Sequence, residues 1–133
     1  MTEVPLGSVA FELERARQLL GAAEVLRQSG YHADAVSRAY YAIFHASTAL
    51  LASIGRTVRT HDGLRAAIGE HFIRPGTLAP RYGRLLARTD ADRNDADYNT
   101  ATTFTADDAG ESIAAAREYV AAVEGIVGGA AQR

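Results

Sequence analysis

The stretch Asp34-Ala35-Val36-Ser37-Arg38-Ala39-Tyr40-Tyr41-Ala42-Ile43-Phe44-His45-Ala46-Ser47-Thr48-Ala49-Leu50-Leu51 decides the fold class, because its large residues keep one helical period. Val36, Tyr40, Ile43, Phe44, Ser47, Leu50, Leu51 and Ile54 recur at the three- and four-residue steps that line one side of an α-helix. Asp34 is suited to cap this helix, and the spacing predicts that it runs to Gly55. A stripe this long on one helix marks it as the core element of the domain.

The neighbouring segments read the same way. On the N-terminal side, Leu13, Ala16, Leu20 and Ala23 mark the inner stripe of a helix from about Ser8 to Ser29, which Gly30 can close in a left-handed cap. On the C-terminal side, Thr60 can cap a short helix carrying Leu64, Ile68 and Phe72, which Arg74-Pro75-Gly76 then breaks. A further helix is predicted to begin near Pro80 and to turn Tyr82, Leu85 and Leu86 inward. The polar run Asp90-Ala91-Asp92-Arg93-Asn94-Asp95-Ala96-Asp97-Tyr98 is expected to carry it out of the core. Thr105, with Asp108 three residues on, suggests the cap of a last helix whose stripe Ala109, Ile113, Ala116, Val120, Val123, Val127 continues until Gly128-Gly129. No stretch alternates as a half-buried strand would, so the fold class is all-α.

Composition bounds the rest. The chain has 133 residues, enough for one core and too few for two. We read residues 9–127 as a single helical domain, with residues 1–8 and 128–133 as tails. Cysteine is absent, which excludes disulfides, thiolate metal sites and Cys nucleophiles, and a cytoplasmic location is the expectation. The first eight residues hold Glu3 and Pro5 and no apolar run, and no later stretch nears the roughly 20 residues that span a bilayer, so neither secretion nor membrane insertion is expected.

A net charge of -2 argues against coating nucleic acid through bulk positive charge, but the charges are unevenly spread. All 14 basic residues are arginine; Arg56, Arg59, Arg65, Arg74, Arg81, Arg84 and Arg88 face only Asp62 and Glu70 between positions 56 and 88, a local net of +5. Guanidinium is a good fork for phosphate, so this segment allows an anion site and equally allows a solvated surface.

Three groups of polar residues invite chemistry. Arg38, Tyr41, His45 and Thr48 step 3, 4, 3 along a second stripe of the central helix, which either meets a partner subunit or holds a paired arginine and a hydrogen-bonded histidine. Asp90, Asp92 and Asn94 match the first three ligand positions of a calcium loop, but the sixth and twelfth positions are Asp95 and Ala101 instead of glycine and a bidentate acid. The aspartates are therefore expected to form a solvated helix face with arginine partners, and no metal or other cofactor is expected. The four histidines, His32, His45, His61 and His71, are widely spaced, and no Gly-rich phosphate loop, G-x-S-x-G or H-E-x-x-H occurs.

The segment from Tyr31 to Ala46, with Ala49-Leu50-Leu51 and Gly55 after it, resembles the central helix of prokaryotic HEPN-domain proteins. The stretches His61-Asp62-Gly63-Leu64, Gly69 to Phe72 and Arg93-Asn94-Asp95-Ala96-Asp97-Tyr98 share the resemblance, which covers residues 9–127. It implies a four- to five-helix up-and-down bundle that forms a homodimer, often paired with a minimal nucleotidyltransferase in a toxin-antitoxin system. It also implies binding of RNA or a nucleotide at a dimer-interface site. Many such domains are metal-independent ribonucleases using an arginine, a following polar residue and a histidine at Arg-x4-6-His spacing. Arg93 and Asn94 match the first two, but the fifth residue after Arg93 is Tyr98 and no histidine follows it.

A phenol titrating near 10 is a poor proton acceptor at neutrality, where imidazole, near 6.5, is a good one. The resemblance thus favours binding over cleavage, with Arg93 and Tyr98 as candidate catalytic residues and Asn94, Asp97, Arg38, Tyr41 and His45 as candidate ligand contacts. Arg38 and His45 also satisfy the arginine-histidine spacing, on the central helix. If Arg93 is a solvated residue paired to Asp90 or Asp97, its loss is expected to be nearly silent; if it binds an anion, its loss is expected to spare the fold and weaken binding.

Overall fold

The computed structural model describes residues 8–131, so residues 1–7 and 132–133 of the expected end tails lie outside the described residues. Five α-helices occur among the described residues: α1 (Ser8–Gln28), α2 (His32–Ala52), α3 (His61–Ile68), α4 (Arg81–Tyr98) and α5 (Ala106–Ala131). A single π-helical turn, Gly69–Ile73, follows α3 without a break, closed by Arg74 N–H donating to the Gly69 carbonyl. The all-α bundle expected from the sequence is the architecture found.

The central helix α2 packs against α1, α3, α4 and α5. Ala35, Ala39, Ala42, Ala46 and Ala49 are fully buried at alternating four- and three-residue steps, and such small residues let a neighbouring helix lie close. Leu13, Ala16, Leu19, Leu20 and Ala23 of α1 and Ile113, Ala116, Tyr119, Val120 and Val123 of α5 join the principal core, together with Leu64, Ile68 and Phe72 and with Tyr82, Leu85 and Leu86 of α4. No described helix is long and apolar enough to cross a membrane.

Local chemistry sets most of the boundaries. Gly30 (φ 88) takes the left-handed conformation that side chains resist, letting Tyr31 N–H donate back to the Leu26 carbonyl at 2.8 Å. Thr60 caps α3 by accepting from Gly63 N–H at 2.9 Å. A Cβ at Gly63 would sit 2.7 Å from that Thr60 hydroxyl and 2.8 Å from Val58 Cγ1, so the cap needs glycine there. At α5, Thr105 N–H donates to Asp108 Oδ2 and Asp108 N–H donates to Thr105 Oγ1, the reciprocal pair that the spacing suggests.

The structure departs from the sequence reading at four places. Helix α2 begins two residues before Asp34, after Tyr31, and has no side-chain cap; Asp34 lies in the first turn, where its charge meets the positive end of the helix. It also ends at Ala52, so Ile54 has left the inner face and is exposed. Helix α5 continues through Gly128 and Gly129 to Ala131, so the two glycines, each costing a helix about 1 kcal/mol, do not stop it. Most consequentially, α4 does not leave the core at Asp90: Thr89 and Arg93 are buried, and the polar run packs against α2.

Candidate functional site

Where α4 meets α2 and α3, five side chains form one cluster: Tyr40 from α2, His61 and Arg65 from α3, Asp90 and Arg93 from α4. Asp90 and Arg93 are three residues apart and so share a helix face, and Arg93 Nη2 donates to Asp90 Oδ1 at 2.6 Å. Only 10% of the Arg93 side chain and 13% of Asp90 is exposed. Burial works against the Arg93 charge, but the hydrogen bond and charge of Asp90 outweigh it and hold the guanidinium above its ordinary value. The arginine is permanently cationic.

The other face of that guanidinium lies over an aromatic ring. Arg93 Cζ is 5.2 Å from the Tyr40 ring centroid, within cation–π range. The Tyr40 hydroxyl and His61 Nδ1 share a hydrogen bond of 2.6 Å. Burial, helped by the Asp90 charge and opposed by Arg93, pushes the Tyr40 phenol well above its ordinary value, so it stays neutral. Tyr41 and Phe44 enclose the imidazole further, with ring centroids 6.3 and 5.2 Å from that of His61.

Two donors in this cluster are left over. Arg65 Nη2 donates to Asp62 Oδ1, while its Nε stands 3.8 Å from Asp90 Oδ2, beyond hydrogen-bond reach. The Nε atoms of both Arg65 and Arg93 are buried with no acceptor among the described residues. A buried N–H without an acceptor costs about 1–3 kcal/mol.

The sequence-derived candidates divide between this cluster and other surfaces. Arg93 is at its centre, Tyr41 packs edge-on against Tyr40 at 5.4 Å, and Asp97 Oδ2 is 3.9 Å from Arg93 Nη1. Asn94 and Arg38 are exposed. Tyr98 is 75% exposed at the end of α4, and five residues on a helix turn it about 140° away from Arg93. His45 is held by Glu12 of α1, Nδ1 to Oε2 at 2.6 Å, and approaches the cluster only through Phe44. The expected solvated aspartate face is corrected at Asp90, which is enclosed by α2 and α3 and flanked by two arginines.

Sequence reasoning missed Tyr40, His61 and Arg65 as site residues. Tyr40 was hidden in the apolar stripe, and His61 and Arg65 lie in a segment distant in the chain. The spacing of His61 and Arg65, four apart on a short helix, was the one available signal.

Fold and site together define a helical-bundle protein that keeps a charged polar cluster in the seam between its central helix and two others. The chain belongs to the HEPN domain family, whose model matches residues 9–126. It is 38% identical over 88 residues, 66% of each chain, to the "Putative toxin MJ0605" of Methanocaldococcus jannaschii. It is also 29% identical over 113 residues to a UPF0332 protein of Thermotoga maritima, covering 85% of this chain and 86% of that one. A UPF0332 protein of Pyrococcus horikoshii is 36% identical over 74 residues, 56% of this chain and 52% of the relative. The chain thus spans about two thirds of the length of the first of these relatives.

Proposed function

We propose that this chain is a toxin-like HEPN protein that binds RNA, or a nucleotide, through phosphate at the cluster centred on Arg93. The two guanidinium groups that α3 and α4 bring together, each with an Nε–H that has no acceptor among the described residues, carry this reading, since a phosphate oxygen is an acceptor that guanidinium suits. The relative that carries the name "Putative toxin MJ0605" supports the class. The reading extends to a homodimer, and to a minimal nucleotidyltransferase as a partner of the kind that the sequence resemblance implies. Tyr98, whose side chain is exposed at the end of α4, is then a surface such a partner can reach.

Fluorescence anisotropy with a short single-stranded RNA, and competition by ATP, tests the reading. Arg93→Ala and Arg93→Lys are both expected to weaken binding about tenfold or more, because each removes the Nε–H fork while only the first removes the charge. Circular dichroism reports whether each variant is folded. Equal affinity of folded Arg93→Lys and wild type for RNA and for ATP would overturn the assignment.

A further inference from the structure

Helices α4 and α5 run antiparallel, with Arg81 beside Glu118 at one end and Asp92 near Asp108 at the other. Both pack on α2, but they touch each other little. Their buried rings, Tyr82 and Tyr119, meet in the core with centroids 5.8 Å apart, while the outer side stays open. Two hollows there, of about 230 and 440 Å³, share Arg88 as a wall and so form one groove. It follows α4 from Arg81 to Asp92, a rise of about 16 Å. Arg84 in its wall is turned about 180° from Arg93 on the same helix, so the groove and the Arg93 cluster lie on opposite sides of α4.

The groove is charged by halves. Arg81, Arg84 and Arg88 line one end, and Asp92, Asp108 and Glu111 line the other. Arg81 is bonded to Glu118, but Arg84, Arg88, Asp92, Asp108 and Glu111 form no ion pair among the described residues. Arg88 and Asp92 stand four apart, the spacing at which opposite charges join along a helix, and still do not pair. Between the two ends the α5 wall carries only the short side chains of Ser112 and Ala115, and Leu85 and Thr89 of α4 are buried. Short side chains on a wall let another helix approach to close packing distance.

We propose that this groove seats one α-helix of another protein, with acidic side chains over Arg84 and Arg88 and, about two turns further on, basic side chains over Asp92 and Glu111. Charge complementarity selects the occupant. A phosphate backbone suits the arginines and is repelled by the three carboxylates, a polyamine meets the reverse, and a polypeptide offers both signs in order. The walls are helices whose backbone groups are already paired, so an extended peptide would leave its own N–H and C=O groups without partners. A helix arrives with them satisfied. Exposed ion pairs are individually weak, so discrimination comes from their order along the groove, since any other order sets like charges together. The inference goes beyond RNA binding and does not depend on Arg93.

The probe is an alanine-based helix, stapled and fluorescein-labelled, with glutamates at one end of a single face and arginines at the other, and its anisotropy is read against the full chain. Three further helices serve as comparisons: one with the same charges alternating along the face, one with glutamates alone and one with arginines alone. The first probe is expected to bind about tenfold or more tightly than each of the three. Arg84→Glu and Glu111→Lys, both at exposed positions, are each expected to weaken it about fivefold or more, with circular dichroism unchanged. The glutamate-only helix is expected to gain affinity on Glu111→Lys, which a nonspecific loss of binding would not produce. Three results overturn the inference: equal affinity for all four helices, unchanged affinity in folded Arg84→Glu and Glu111→Lys, or sedimentation in which those variants separate a wild-type dimer, which would make the occupant a second copy of this chain.

Discussion

Ser47 of α2 and Tyr119 of α5 share a 2.6 Å hydrogen bond between their hydroxyls in the fully buried core. It ties the central and last helices through a polar contact. Ser47→Ala should cost about 1–3 kcal/mol, because the Tyr119 hydroxyl is left without a partner. Tyr119→Phe should cost less, since a helical serine can turn to the carbonyl four residues back. The double variant should be more stable than the sum of the two losses implies, and urea denaturation of the four proteins measures that coupling.

Arg93→Ala should destabilise the fold by about 1–3 kcal/mol, more than expected of a solvated residue, because it leaves Asp90 buried with its short hydrogen bond gone. The sequence reading expected the fold to be spared whichever role Arg93 plays. Adding Asp90→Ala to Arg93→Ala should recover part of the loss. Chemical denaturation midpoints decide the matter, and a cost near zero for Arg93→Ala would show the pair to be incidental.

The capping box of α5 makes stability acid-sensitive. Hydrogen bonds from Thr105 to the Asp108 carboxylate hold it below the usual carboxylate range. A lowered value in the folded state means stabilisation that is present above about pH 4 and lost as pH falls through the folded value. Asp108→Ala should therefore lower the melting temperature at pH 7, with the difference from wild type shrinking toward pH 2.

Asp92 behaves in the opposite sense. Burial raises its carboxyl, Arg88 opposes that, and the nearby charges of Asp95 and Asp108 add to it. With Arg88, Phe104, Asp108 and Glu111 it lines a hollow between α4 and the start of α5. A carboxyl raised in the folded state contributes stability below its unfolded value and loses it as pH rises through the folded one. Asp92→Asn should thus raise the melting temperature at pH 7, and the gain should vanish near pH 3.

The proposed homodimer is testable by sedimentation velocity at micromolar concentration, where two copies are expected to travel together. Phe11 and Val25 are exposed on α1, and Tyr41 and His45 are only partly covered on α2, so Tyr41→Glu or Phe11→Glu should shift the protein toward monomer. A monomer in the wild-type run would count against the dimer.

By itself, the sequence determined the helices, because local signals specify them: the stripe from Val36 to Leu51, the Thr60 cap, the Gly30 stop and the Thr105–Asp108 pair all act within a few residues. Its resemblance to the family singled out Arg93 as a candidate, through a motif carried on one helix. The sequence misjudged the polar end of α4, since hydropathy along a helix cannot tell a solvated acid from one enclosed by an arginine and an aromatic ring. Only the tertiary structure decided what surrounds Arg93. Tyr40, His61 and Asp90 come from three helices, and their meeting depends on how α2 packs against α3 and α4. No spacing within one element records a contact between elements, so the 2.6 Å bond from Tyr40 to His61 exists only once the bundle has closed.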